Sequence, residues 1–150
     1  ASTFHSLHYH VIFSTKERTP WLKDGDIRSR VWAFMGGIAN ENETKPVCIG
    51  GMEDHVHLLL EIPPRLSVSD VVKQIKGASS RWIHSTFPEL QGFAWQDGYG
   101  VFAVSKSAVP AVIRYISRQE EHHRRTRFED ELRAILIKHE LPWDERYLLG

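Results

Sequence analysis

The chain has 150 residues and a mass of 17.3 kDa, 41% of them hydrophobic, which is enough for one compact domain with its own core and short for two. Lys plus Arg (19) and Asp plus Glu (19) balance to a formal net charge of zero, so overall electrostatics do not by themselves announce a nucleic-acid binder. No stretch approaches the roughly 18 to 20 consecutive apolar residues of a membrane span, and with Cys48 as the only cysteine neither an intramolecular disulfide nor a thiolate zinc site can form within the chain.

The first residues, Ala-Ser-Thr-Phe-His, carry no basic region followed by an apolar one, so a soluble, unsecreted protein in a reducing compartment is expected. Leu7, Tyr9, Val11 and Phe13 fall at period two, predicting a strand over about 6–14 with one face buried. After Thr19-Pro20, the residues Ile27, Val31, Phe34 and Ile38 recur at helical spacing behind Asp24 or Asp26, either of which can cap a helix running to about Glu43. Two short β-prone runs, 47–52 and 56–62, hinge at Glu53-Asp54 and read as an antiparallel pair ended by Pro63-Pro64. Ser67 then offers a cap, with Asp70 three positions on, for a second helix carrying Val71, Val72, Ile75, Ala78 and Trp82 to near Pro88. Residues 93–95 and 100–104 are strand-like and separated by a turn-rich segment. Beyond Pro110, the residues Val112, Ile113, Ile116 and Gln119 share one helical side, and Phe128, Leu132, Ile135 and Leu136 make a shorter helix, while 141–150 carry no clear pattern. The order strand, helix, strand, strand, helix, strand is that of an α+β, ferredoxin-like split βαβ sandwich, an antiparallel sheet with helices on one face plus C-terminal helices. That fold hosts several functions, so particular side chains must decide.

The strongest local pattern is His55-Val56-His57. Side chains two apart on a strand point the same way, so two imidazoles can converge on one ion while Val56 faces the core. Asp54 either orients one ring or terminates the turn, and a pair that merely decorates the exposed face suits the same residues. A histidine-triad hydrolase needs a further histidine where Leu59 stands, and a two-histidine phosphodiesterase needs a second copy of a His-x-Thr or His-x-Ser motif, which is absent. Tyr115 and Gln119 stand at i and i+4 on the helix beyond Pro110, so a nucleophile and a metal ligand can project from one side. Taken alone, a tyrosine on an amphipathic helix is an ordinary core residue with its hydroxyl at the rim.

Together these motifs resemble the single-tyrosine, HUH-type transposases of the IS200/IS605 class and their relatives associated with repeated extragenic palindromes. The resemblance spans nearly the whole chain. It rests on His55 and His57, on the helix with Tyr115 and Gln119, on the segment 95–102, on strand one with its basic turn, and on the run Glu120-Glu121-His122-His123. It implies a single domain over 1–150 and a divalent ion, Mg2+ or Mn2+, held by His55, His57 and Gln119. Tyr115 is then the catalytic nucleophile, attacking single-stranded or hairpin DNA to leave a 5′-phosphotyrosine and a free 3′-hydroxyl. It also implies a homodimer in which the tyrosine helix of one subunit completes the other's site, and a cytoplasmic, nucleoid-associated protein. Lys16, Arg18, Lys73, Lys76 and Arg81 are the candidate DNA contacts, with Trp21 as a possible stacking surface, and Asp54, His122 and His123 are candidates to stand behind the ligands. Two rivals stay open at this point. One is a domesticated nucleic-acid-binding protein of the same fold, and the other is a relaxase-like nicking enzyme, although Tyr115 has no second tyrosine on its helix.

Overall fold

A computed structural model describes residues 3–148. Strands β1 (His8–Ser14), β2 (Lys45–Met52), β3 (His55–Glu61) and β4 (Gly100–Val104) form one antiparallel sheet in the order β2-β3-β1-β4. Helix α1 (Gly25–Glu41) connects β1 to β2, α2 (Val68–Thr86) connects β3 to β4, and α3 (Val109–Ser117), α4 (Gln119–His122) and α5 (Phe128–Lys138) follow. This is the ferredoxin-like arrangement read from the sequence. Both long helices start where their caps place them: Asp24 accepts from the backbone N–H of Asp26 and Ile27, and Ser67 from that of Asp70.

Period two sorts the sheet into two faces. Val11, Phe13, Val56, Leu58 and Leu60 point under α1 and α2 and form the main core with Val31, Met35, Ile38, Val71, Val72 and Ile75. The alternate positions point the other way, where α3 to α5 lie. There Leu59 packs on Val109 and Ile116, and Ile12 and Phe102 pack on Phe128, Leu132, Ile135 and Leu136. The sheet is thus covered on both faces, with the histidines on the second.

Three local expectations are revised. Residues 93–95 form no strand, only an isolated bridge between Thr15 and Trp95, because Phe93 and Trp95 are drawn into the core as an edge-to-face ring pair. The helix beyond Pro110 is not continuous, since Arg118 (φ −105, ψ 19) leaves the helical region and separates α3 from α4. The tail contains a short 3-10 turn, Glu145–Tyr147, capped by Asp144, while positions 149 and 150 lie outside the described residues. Among the described residues no helix is long and apolar enough to cross a membrane.

Two close approaches fix the second face. A Cβ on Gly50 of β2 would lie 2.7 Å from the carbonyl oxygen of Ile116, so glycine there lets α3 seat directly on the strand. In the turn after β1, Glu17 and Arg18 both adopt left-handed backbone (φ 57 and 56). This strain is held by the contacts of the Arg18 guanidinium, which pairs with Asp54 (3.0 Å) and with Glu129 of α5 and lies over the Phe128 ring.

Candidate active site

The two-residue turn at Glu53-Asp54 starts β3 at His55, so His55 and His57 face α3 to α5 while Val56 enters the main core. Both rings are fully buried. His55 Nδ1–H donates to Asp54 Oδ1 at 2.9 Å, which leaves Nε2 aimed into the site. Burial pushes the Asp54 carboxyl upward, but the hydrogen bond and charge of His55, reinforced by Arg18, outweigh it and hold it below the ordinary value. Asp54 therefore orients the ring as well as closing the turn. Phe128 stacks on the other side of His55, with centroids 4.3 Å apart.

Across the β1–β3 pair, Ile12 stands opposite His57 and His10 opposite Leu59, which makes His10 the diagonal neighbour of His57. Their ring nitrogens, His10 Nε2 and His57 Nδ1, are 2.8 Å apart. Burial, followed by the mutual charge repulsion of the rings, lowers His10 to about 3; burial lowers His57 to about 4 against the raising effect of Glu131. Both imidazoles are therefore neutral near pH 7, the form that can hold a metal. His10 was not singled out in the sequence, although it lies on the same alternation as Ile12 and Ser14.

Tyr115 comes from α3 and Gln119 from the first position of α4. The break at Arg118 removes the simple i, i+4 relation on one helix, yet both side chains reach the histidines. Gln119 Oε1 is 2.9 Å from His55 Nε2, and the Tyr115 ring sits edge-on to His57 with centroids 5.6 Å apart. This meeting occurs within one chain.

At the centre lies Glu131 of α5, a residue the sequence reading missed. Its carboxylate accepts from the Tyr115 hydroxyl and from Gln119 Nε2 (3.1 Å), and it lies 3.1 Å from both His57 Nε2 and His123 Nε2. The available signal was a charged residue in the stripe Phe128, Leu132, Ile135, three positions after the first and four before the last, where an aliphatic side chain belongs. Burial alone would raise Glu131, but hydrogen bonds from His123, His57 and Tyr115 override it and hold the carboxyl far below its usual range. Burial and then the Glu131 charge push the Tyr115 phenol well above its usual value, so it is protonated in this arrangement.

His123 and His122 do approach the site. His123 Nδ1–H donates to the Thr126 carbonyl at 2.7 Å, turning Nε2 toward Glu131; burial disfavours its charged form, but Glu131 outweighs this and raises it. His122 Nε2 is 3.2 Å from Glu131 Oε2, without hydrogen-bond geometry.

The site fits a divalent ion on its own terms. With Nδ1–H committed to Asp54, the His55 ring turns Nε2 into the site, the nitrogen that offers a lone pair whenever the ring holds a metal. Gln119 uses its amide N–H on Glu131, so it too presents a lone pair, and the two acceptors face each other at 2.9 Å. Two acceptors so placed repel unless a cation or proton lies between them. Among the described residues, ligand atoms of His55, His57 and Glu131 all lie within 4.8 Å of one another, as do those of His122, His123 and Glu131.

Tyr115 is half-buried and reachable from two sides. On one side an apolar cavity of about 590 Å³ between β4, α3 and α5 is lined by Phe102, Val112, Tyr115 and Ile135. On the other, an open cleft of about 460 Å³ carries Arg114, Arg118 and Arg125 around Tyr115 and His122. These three arginines are exposed and enter no ion pair among the described residues.

The basic residues chosen from the sequence are distributed differently. Arg18 is consumed by Asp54 and Glu129, and the Lys76 ammonium is bound to the carbonyls of Gln96, Asp97 and Gly98. Lys73, Lys76 and Arg81 belong to α2, across the sheet from the histidines, and Lys16 is exposed in the turn after β1. The structure does not bring these five residues together at the site. Trp21 packs against Gly92.

Comparison with known proteins agrees with this geometry. A family model described as IS200-like transposase matches residues 3–119. The ISDra2 transposase TnpA of Deinococcus radiodurans is 31% identical over 122 residues, covering 78% of this chain and 86% of that protein. The transposase of insertion sequence IS200 from Salmonella typhimurium is 30% identical over 118 residues, 75% and 76% respectively. A crystal structure of a candidate transposase from Deinococcus radiodurans R1 superposes with a TM-score of 0.66 at 32% identity, covering 79% of this chain and 95% of that one. A REP-associated tyrosine transposase bound to a REP hairpin shares the fold, with a TM-score of 0.60 at 13% identity over 82% and 74%. With sheet, histidine pair and tyrosine helix all falling inside the matched segment, the chain belongs to the IS200-like transposases, a family of HUH-type tyrosine enzymes.

Proposed function

We propose that this protein is a metal-dependent transposase that cuts and rejoins single-stranded DNA, in hairpin or palindromic form, through a covalent link to Tyr115. The observation that carries this reading is the convergence of His55, His57, Gln119 and Tyr115 on one buried point from a strand and two helices. A bound divalent ion, Mg2+ or Mn2+, would supply positive charge to the scissile phosphate.

The chain's own residues do the rest. His55, oriented by Asp54, and His57, held by His10, present their Nε2 atoms to the phosphate side, with the Gln119 side-chain carbonyl beside His55 Nε2. The Tyr115 oxygen forms a bond to phosphorus as the bond from phosphorus to the 3′-oxygen breaks, and the phenolic proton is balanced by the proton taken up at the 3′-hydroxyl. A phenolate leaves more readily than an alkoxide, so the phosphotyrosine keeps the bond energy for rejoining to a second 3′-hydroxyl. Arg114, Arg118 and Arg125 replace the α2 residues as the expected seat of the DNA backbone, since they ring the approach to the nucleophile. What supports a hairpin form in this reading is the fold neighbour, a REP-associated tyrosine transposase bound to a REP hairpin. A homodimer is part of the same reading, checked by sedimentation.

The test is incubation with Mn2+ or Mg2+ and labelled single-stranded hairpin oligonucleotides, followed by denaturing gels. A covalent adduct is expected, lost in Tyr115→Phe and strongly reduced in His55→Ala and His57→Ala. An adduct that survives Tyr115→Phe would show that another residue is the nucleophile.

A further inference from the structure

We propose that Glu131, delivered by α5 from beyond the segment shared with the family model, is an anionic ligand of the divalent ion alongside His55 and His57. This rests on the metal-dependent reading above and adds to it a ligand and an element.

The first support is the charge environment. Glu131 is only 3% exposed, and a carboxylate so buried needs a compensating cation. Its polar partners among the described residues are four imidazoles, a phenol and an amide, with no guanidinium or ammonium. Arg18, which reaches α5 over the Phe128 ring, is turned to Asp54 and Glu129 instead. Among the described residues, the only groups beside Glu131 able to carry positive charge are titratable imidazoles, so a permanent cation is the component this cluster lacks.

The second support is metric. Around an octahedral ion with bonds of about 2.1 Å, neighbouring ligand atoms stand about 3.0 Å apart. His57 Nε2 is 3.1 Å from Glu131 Oε1, and His55 Nε2 is 2.9 Å from Gln119 Oε1, each the length of one such edge. His55 Nε2 to Glu131 Oε1, at 3.7 Å, falls between the adjacent and opposite separations. One carboxylate oxygen thus faces the histidine ligands while the other holds the Tyr115 hydroxyl and the Gln119 amide.

The third support is how the residue is held. α5 docks through Phe128 on the His55 ring and through Ile12 and Phe102 to Leu132 and Ile135, and His123, itself anchored on Thr126, fixes the carboxylate from the side. Occupancy of the ion and docking of α5 are therefore linked, each stabilising the other.

The experiment uses the full chain and Mn2+ alone. Calorimetry and Mn2+ electron paramagnetic resonance are run on the unsubstituted protein, Glu131→Gln and His57→Ala, and hydrogen exchange of 128–138 is followed in the unsubstituted protein with and without Mn2+. The expected results are at least a tenfold weaker Mn2+ affinity in Glu131→Gln and several-fold slower exchange across α5 when Mn2+ is present. Affinity within twofold of the unsubstituted protein in a folded Glu131→Gln, with binding lost in His57→Ala, overturns the role of Glu131 and leaves the histidine site standing. Binding unaffected in both variants overturns the metal site itself. Should Glu131→Gln fail to fold, the exchange arm decides alone, and no change in α5 on adding Mn2+ contradicts the proposal.

Discussion

The imidazoles of His10 and His57 meet across strands β1 and β3, with 2.8 Å between His10 Nε2 and His57 Nδ1. This contact fixes the orientation of a ring whose other nitrogen points into the site, the role that partners behind a metal ligand ordinarily play. His10→Ala frees the His57 ring to rotate or change tautomer. Mn2+ affinity measured by calorimetry should fall by about tenfold to a hundredfold, with the fold retained. Unchanged affinity would mean that the His10 contact is only packing.

The seating of α3 on β2 depends on Gly50. A methyl group there meets the Ile116 carbonyl at 2.7 Å, and neither the strand nor the helix backbone can give way cheaply. Gly50→Ala should cost about 1–3 kcal/mol of stability in denaturant unfolding and should displace Tyr115, which lies one residue from Ile116, so that adduct formation slows more than unfolding alone explains. A variant as stable and as active as the parent contradicts this account of the α3–β2 contact.

Protonation gives a third expectation, for the metal-free protein. His57 is held near 4 and His10 near 3, burial leading in both cases, against about 6.5 in an unfolded chain. Between pH 6.5 and about 4 the unfolded chain takes up protons that the folded chain refuses, so stability is fully present above 6.5 and falls as the solution is acidified. The slope is about 1.4 kcal/mol per pH unit for each ring. Glu131, whose folded value is depressed, extends the loss to lower pH. His123, raised against burial by Glu131, acts in the opposite sense: its contribution is present below 6.5 and fades as pH rises through its raised value. Urea unfolding from pH 7 to 4 in EDTA should show the decline, and a flat profile would contradict the burial of neutral rings.

Much of this was legible in the sequence for physical reasons. Alternation on β3 sends His55 and His57 one way and Val56 the other, and that needs no tertiary information. Asp24 and Ser67 mark their helix starts because the orphan N–H groups of a first turn need such side chains. Glu131 was only half legible: its place in an apolar stripe marks it as unusual, but a carboxylate there still reads as a solvated residue until the sheet sets His55 and His57 opposite it. His10 was hidden for the same reason, since its partner sits 47 residues away. The DNA-contact candidates on α2 rest on charge alone, and local periodicity cannot say which face of the sheet a crossover helix covers; α2 covers the face away from the histidines.

The arginine cleft gives a fourth expectation. Arg114, Arg118 and Arg125 line the opening beside Tyr115, and each contact of an arginine with a single-strand phosphate contributes about 0.7 to the slope of log affinity against log salt. In a Tyr115→Phe background, replacing all three by Ala should reduce that slope by about 2 in fluorescence anisotropy with single-stranded DNA. The same replacement of Lys73 and Arg81 should change it much less, and the reverse order would return the DNA to the α2 face.

The most direct measurement is the chemical location of the DNA on the protein. After reaction with a hairpin oligonucleotide and Mn2+, nuclease and trypsin digestion isolates the peptide 115–118, Tyr-Ile-Ser-Arg, bounded by Arg114 and Arg118. The account expects mass spectrometry to find a nucleotide joined through its 5′-phosphate to Tyr115, and none on the same peptide from His57→Ala. A nucleotide on Tyr9, Tyr99 or Tyr147, or cleaved DNA carrying a free 5′-phosphate with no protein attached, would contradict it.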